Sequence, residues 1–564
     1  MSYLLKVNPE GFYYKNDFLE ENTFDNFYIL SKNFNEKELG DLVKDYQNGK
    51  LLNSLNKCNK NHFLLILYSV LDKILYVFND KLASNEILFF EDGNEIVISN
   101  DIKLIYKNID RDFEIDEKRA YEFLIFSYIN PPYTIYKNIK SVPIASFLFY
   151  DAKKREKKVG NYWDLCKLVG FKELDYQKLV REIRQSLIES ILQEPLEDIC
   201  IALSGGVDSG GLLGILTKLK NKEINSITIG PYGKKSGDLK SSRKTASFTK
   251  SNNEEIYPEI NDLKKLKRYL RGLNQPLGAH FVLFNGLILD RAKEKFIKRI
   301  FYAFGTDAML GTQKYSRLAY FLEKSEQICP FTMLKIIYKI AGKIFKFSKN
   351  QIKILLSESW SERFFYIKGP AFVYEKNYLK FKDEYFLDSY INELDRIFKL
   401  GEIDCVDKLV LADRQFWHIY KQVTSLSVFS KNFDILPLFP FYSPQVTQII
   451  LRTPNKFRRL NRWNKKIIRD VLKPYISYDL YKRKPKSVIF PYNIWFKNNY
   501  KIFINYLKTS KIINRLVDLC LYERDFINLP QPGASLIRLL GLAIWYDVNW
   551  NEKNLDNFNI PKKM

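Results

Sequence analysis

Ser204-Gly205-Gly206-Val207-Asp208-Ser209 follows directly on an apolar run that ends at Leu203. Chain reversal at the carboxyl end of a buried strand, with glycines admitting close backbone approach, makes an anion cradle at a helix N-terminus. Ser204 and Ser209 add hydroxyl donors to that cradle. Asp208 is a poor phosphate neighbour unless a divalent cation lies between them, so it reads as a magnesium ligand. No Lys-Ser or Lys-Thr follows the glycines, which separates the loop from the Walker pattern. The bland alternative is a tight strand–helix turn with incidental serines.

The elements that must hold this loop follow from the apolar pattern. Residues 198–203 predict a buried parallel strand and residues 210–220 an apolar helix. Upstream, from Tyr3 to about Tyr150, short strands dominate, at 63–68, 74–79, 86–91, 95–99 and 146–150, with a turn at Asp92-Gly93-Asn94. Residues 116–126 read as a helix closed by Asn130-Pro131-Pro132, residues 153–158 as a charge run, and residues 175–193 as a helix. The expected fold class is α/β with two domains: a β-rich one over 1–165 and, over 166–564, a parallel sheet followed by many helices.

Composition bounds the partners. The 564 residues exceed one hydrophobic core, and 46% hydrophobic content excludes a disordered chain. The net charge of +24 is spread along the length in a chain rich in Lys, Asn, Ile, Tyr and Phe, so no nucleic-acid partner is expected. Six dispersed cysteines without a CxxC pair exclude a zinc ribbon, and three histidines argue against a histidine-rich metal centre. No signal-like N-terminus and no apolar run of membrane-spanning length appear, and a cytoplasmic location is expected.

Ser204-Gly205-Gly206-Val207-Asp208-Ser209 resembles the pyrophosphate loop of ATP α-hydrolases that adenylate a substrate, and the chain is similar to the asparagine-synthetase superfamily. Ser226-Ile227-Thr228-Ile229-Gly230 lies where that family's backbone holds adenine, Ser236-Gly237-Asp238 resembles its next segment, and Gly305-Thr306-Asp307 its second acidic loop. Lys466-Ile467-Ile468-Arg469 resembles its K-x-x-R helix, and Lys484-Pro485-Lys486 leading to Phe490 its lysine loop. The resemblance implies ATP and Mg2+ as cofactors, with Leu203, Ser204, Gly205, Gly206, Asp208, Ser209, Ile229, Gly230 and Gly305 binding nucleotide. It also implies Asp208 and Asp307 as metal ligands and Lys486 as the cation of acyl transfer. Upstream, Asp80-Lys81-Leu82-Ala83, Leu88-Phe89-Phe90 and Ile98-Ser99-Asn100-Asp101 are similar to the family's amidotransferase-type (Ntn-type) N-terminal domain.

Two departures shape the expected activity. Glutamine-using relatives keep a cysteine nucleophile where this chain has Ser2, so the N-terminal domain reads as a dead glutaminase. Three residues before Asp307, where relatives carry a glutamate or tyrosine that helps deprotonate the amine, stands Phe304. Tyr302 and Tyr315 are the nearby alternatives, unless the amine needs little help, as a peptide α-amino group does not. These departures suit the lasso-peptide macrolactam synthetases (lasso cyclases), which implies a precursor peptide as substrate and a leader-peptide protease or leader-binding protein as partner. The alternatives are another amide synthetase, of a small molecule or surface polymer, and a silent nucleotide- or peptide-binding scaffold. His280 and His418 read as structural. Lys335, Lys339, Lys343, Lys346 and Lys353 recur at helical spacing over 333–356, as a solvated face or as a peripheral membrane or partner contact.

Overall fold

Strands form in the N-terminal part because its apolar residues alternate or run continuously between turn residues. In a computed structural model the chain is described over residues 2–551, apart from 113, 170–171, 232, 234–236, 312–313, 369–377, 381–387, 402, 461–462, 484–490, 498 and 530. Two antiparallel sheets stack in the N-terminal part. One orders Phe12–Asn16, Tyr3–Val7, Ile96–Ser99, Leu88–Glu91 and Lys140–Ser141; the other orders Glu156–Asn161, Ser146–Asp151, Ile74–Asn79, Leu64–Ser69, Phe27–Lys32 and Glu20–Phe24. Leu5, Val7, Ile96 and Ile98 from the first meet Leu30, Ile66, Val77 and Leu148 from the second in one buried cluster. The lysine run at 153–158 is partly strand: Glu156–Asn161 pairs with Ser146–Asp151 as an exposed edge, where lysines are favoured because they discourage further pairing. The helix expected at 116–126 runs Glu117–Phe126, with Asp116 as its side-chain cap.

The second half is built on a parallel sheet ordered Asn252–Ile256, Asn225–Ile229, Ile199–Ala202, Arg299–Phe301 and Leu436–Leu438. The chain leaves Ile199–Ala202 towards one edge and later returns to build the other side. The carboxyl ends of Ile199–Ala202 and Arg299–Phe301 therefore flank the switch point, where open α/β sheets bind ligands. Among the described residues, no helix is long and apolar enough to cross a membrane.

The helix Val207–Lys220 is buried nearly all round, and its glycines let the next layer come close. A Cβ on Gly211 would stand 2.5 Å from Leu472 Cδ1, and one on Gly214 only 2.1 Å from the Tyr475 carbonyl oxygen. The helix Lys466–Leu472 is thereby seated on Val207–Lys220, which carries the residue before it, Lys465, to the switch point. Gly214→Ala should cost about 1–3 kcal/mol, because a backbone carbonyl has no rotamer by which to yield. The measurement is the denaturant midpoint, and an unchanged midpoint would mean that the turn Lys473–Tyr475 moves freely off Val207–Lys220.

The basic helix expected over 333–356 is two helices, Phe331–Ile344 and Lys349–Leu356. Lys346 takes a left-handed conformation (φ 48°), and Ser348 caps the second helix in a capping box with Gln351. The lysine periodicity runs through this break, so spacing alone did not show it.

Candidate active site at the sheet switch point

Leu203 ends the central strand, its N–H donating to Ile227 O at 2.9 Å. Gly205 then turns left-handed (φ 71°), and a Cβ there would meet the Asp238 carbonyl oxygen at 2.5 Å, so the tight turn requires glycine. Gly206 is the extended cap of Val207–Lys220, leaving the first amides of that helix facing the loop. Ser209 is buried beneath the turn. Its Oγ accepts the Ser204 N–H at 3.1 Å and lies 2.9 Å from Ser204 Oγ, so Ser209 shapes the loop from inside while Ser204 stands at the open side.

The acidic pair converges here. Gly305 (φ 106°) turns the chain after Arg299–Phe301, and a Cβ there would strike the Tyr442 ring at 2.6 Å. The turn places Asp307 opposite Asp208. Between them sits Lys465, its Nζ 2.6 Å from Asp208 Oδ2, 2.8 Å from Asp307 Oδ2 and 3.0 Å from Thr306 Oγ1. Burial disfavours the Lys465 charge, but the two carboxylates outweigh it and hold the ammonium above its usual range. Asp208 Oδ1 is buried without a hydrogen-bond partner among the described residues.

Sequence reasoning missed Lys465 by one position. Lys466, the residue singled out for the K-x-x-R helix, instead pairs with Asp470 on the same helix. Lys465 is left-handed (φ 60°), and that conformation separates its side chain from the helix that begins at Lys466. Arg469 donates to the carbonyls of Tyr481 and Arg483. Arg483 in turn donates to the Gly205 carbonyl and, at 2.7 Å, to Asp238 Oδ1. The root of the lysine loop is thus tied to the phosphate-type turn. Lys484, Pro485, Lys486 and Phe490 lie outside the described residues, as does Ser236.

The asparagine synthase family model matches residues 195–528. The chain belongs to the asparagine synthase family. A protein of Methanocaldococcus jannaschii with the provisional name asparagine synthetase (glutamine-hydrolyzing) 2 is 24% identical over 273 residues, 46% of this chain and 52% of that protein. The chain thus matches about half the length of that curated relative. Among solved structures, the NH3-dependent NAD synthetase of Campylobacter jejuni has a TM-score of 0.20 at 13% identity, over 45% of this chain and 96% of its own. The U34-tRNA thiolase NcsA of Methanococcus maripaludis has a TM-score of 0.21 at 11% identity, over 44% and 80%. Scores that low carry no inference about this member of the family.

Within this family member, Ile229 and Gly230 sit at the carboxyl end of the neighbouring strand, where the Gly230 N–H donates to Ile256 O at 2.8 Å. Phe304 stacks on Phe439, with centroids 6.1 Å apart, and leans on Tyr302 at 5.1 Å. Tyr302 is fully buried, its hydroxyl has no partner among the described residues, and burial pushes that phenol well above its usual range. It is no base near neutral pH. The Tyr315 side chain lies outside the described residues. His280 heads the helix Ala279–Glu294 and is held neutral by burial, with its pKa pushed down to about 3. His418 Nε2 lies 3.4 Å from Asp413 Oδ2, within a buried cluster that also holds Lys368.

Among the described residues no group of three or more His, Cys, Asp or Glu forms a metal site. Two carboxylates, one with an orphaned buried oxygen, fit Mg2+, an ion that usually takes one or two protein carboxylates and completes its shell with water and substrate phosphates. Asp208 and Asp307 would hold it, and it would neutralise phosphate charge there.

Proposed function

We propose that this chain forms amide bonds at the expense of ATP by way of an acyl-adenylate. A carboxylate oxygen attacks the α-phosphorus, the α–β phosphoanhydride breaks and pyrophosphate leaves. An amine nitrogen then attacks the acyl carbon, the bond to AMP breaks, and the amine gives up one proton. The observation that supports this best is the meeting of Asp208, Asp307 and Lys465 beside the Ser204–Ser209 turn at the sheet's switch point. Leu203, Ile229 and Gly230 lie at the strand ends against which adenine would rest. Ser204, Gly205 and Gly206 offer donors to pyrophosphate, with Ser209 shaping the turn, and Gly305 sets Asp307 in place.

We further infer that the amine is a peptide N-terminus and the carboxylate an Asp or Glu side chain of the same precursor peptide, so that the product is a macrolactam of the lasso type. Phe304 and Tyr302 supply no base, and an α-amino group with a pKa of about 7.7–8.0 is already partly neutral near pH 7. Ser2 supports the absence of an internal ammonia source. It directly precedes the strand Tyr3–Val7, its N–H bonds Asp17, and the chain has no cysteine before Cys58.

The experiment offers the chain ATP, Mg2+ and peptides with a free N-terminus and an internal Asp or Glu, with a cognate leader-binding protein or protease supplied. Peptide-dependent pyrophosphate release and a product lighter by one water are expected, with no glutamate formed from glutamine. Amide formation only with ammonia or a small amine would replace the macrolactam reading by a small-molecule synthetase. Glutamine hydrolysis coupled to turnover would overturn the dead-domain reading.

A further inference from the structure

We propose that the helical arm over 314–356 docks this chain onto an anionic membrane surface, independently of the chemistry at the switch point. The helix Phe331–Ile344 buries one side only. Leu334 and Tyr338 turn inward and, with Leu322 and Leu355, make a small separate core, leaving the opposite side unpacked. Met333, Ile336, Ile337, Ile340, Ile344 and Phe345 are each more than half exposed. The first five recur at i, i+3, i+4, i+7 and i+11, a single stripe on a 3.6-residue helix. Exposed apolar residues scattered singly need no explanation, but a continuous stripe marks a contact surface.

The charge around the stripe selects the occupant. Between Glu326 and Glu358 the sequence contains no Asp or Glu, and it contains six lysines, at 335, 339, 343, 346, 349 and 353. Lys335 is paired with Glu358. Lys339, Lys343 and Lys346 are exposed and make no ion pair among the described residues. Lysine is depleted in protein–protein interfaces. On a bilayer, by contrast, lysine stems lie along the apolar stripe while their ammonium groups reach lipid phosphates. At 14 residues the helix is about 21 Å long, too short to span a bilayer but long enough to lie in its surface.

The test is flotation of the full chain with phosphatidylcholine vesicles, with and without phosphatidylglycerol. Flotation with the anionic vesicles is expected, weakening with salt, and little with phosphatidylcholine alone. Each lysine near an anionic surface is worth about fivefold in partitioning. Lys339→Glu, Lys343→Glu and Lys346→Glu together should therefore lower it by on the order of a hundredfold or more. Ile336→Ser with Ile340→Ser should also detach the chain. These side chains are exposed, so an unchanged thermal midpoint will show that both variants remain folded. A wild-type chain that stays unbound on anionic vesicles at low salt overturns the proposal, as do variants that float like the wild type. A concentration-dependent dimer dissociated by the isoleucine variant, without flotation, would assign the stripe to a second copy of the chain and overturn it too.

Discussion

Asp208→Asn should abolish substrate-dependent pyrophosphate release while leaving the chain folded. The substitution keeps size and shape but removes the anion that would hold Mg2+ against pyrophosphate, and a loss of at least about 10²–10³-fold is expected from one such electrostatic contact. Lys465→Met extends the test. Lys465 bridges Asp208 and Asp307 at 2.6 and 2.8 Å, and without it two carboxylates face each other with no cation between them. A purely structural lysine would lower the thermal midpoint and leave turnover intact in the folded fraction, whereas a lysine of the site would lower turnover well beyond any change in midpoint. The pH dependence separates the two further. The folded pKa of Lys465 is raised. Its contribution to stability is therefore fully present below the unfolded value of about 10.4, and is lost only as pH rises through the higher folded value. Full turnover by a well-folded Asp208→Asn protein would remove this centre from the chemistry.

The site was readable where one local segment carries the whole signal, and unreadable where the signal depends on packing. A buried strand, two glycines and a capped helix fall within a dozen residues around Gly205, and each has a physical reason visible in the letters. Lys465 does not: it stands in Asn464-Lys465-Lys466, two adjacent lysines that composition cannot rank. What ranks them is the left-handed turn at Lys465 and the close seat of Leu472, at the end of Lys466–Leu472, on Gly211. Phe304 was readable as a missing base. The burial of Tyr302, which removes the nearest substitute, needed the layer formed by Phe304 and Phe439. The strand Glu156–Asn161 was hidden because an exposed edge carries charge on both faces, and the period-2 pattern fades there. The break at Lys346 was hidden because a left-handed lysine looks like any other lysine in sequence.

Lys486→Ala should still bind ATP, and form adenylate, yet lose amide product by about 10²–10³-fold, whereas Lys482→Ala should be nearly silent. Acyl transfer from an adenylate builds negative charge on the carbonyl oxygen while the departing phosphate keeps its own. A compact ammonium on a flexible stem can follow that charge as it moves. The loop is rooted at the site: Arg483 donates to the Gly205 carbonyl and to Asp238. Lys486 follows Arg483 by three residues in the sequence. Lys482 is exposed, its ammonium 4.1 Å from the centre of the Tyr478 ring, and it belongs to the surface. Both variants are assayed for pyrophosphate exchange, which reads adenylation alone, and for amide product, which reads the whole reaction. Loss of product with exchange retained in Lys486→Ala would place the lysine in the second step. Equal and small losses in the two variants would make the loop a charged surface and leave the developing charge to Lys465.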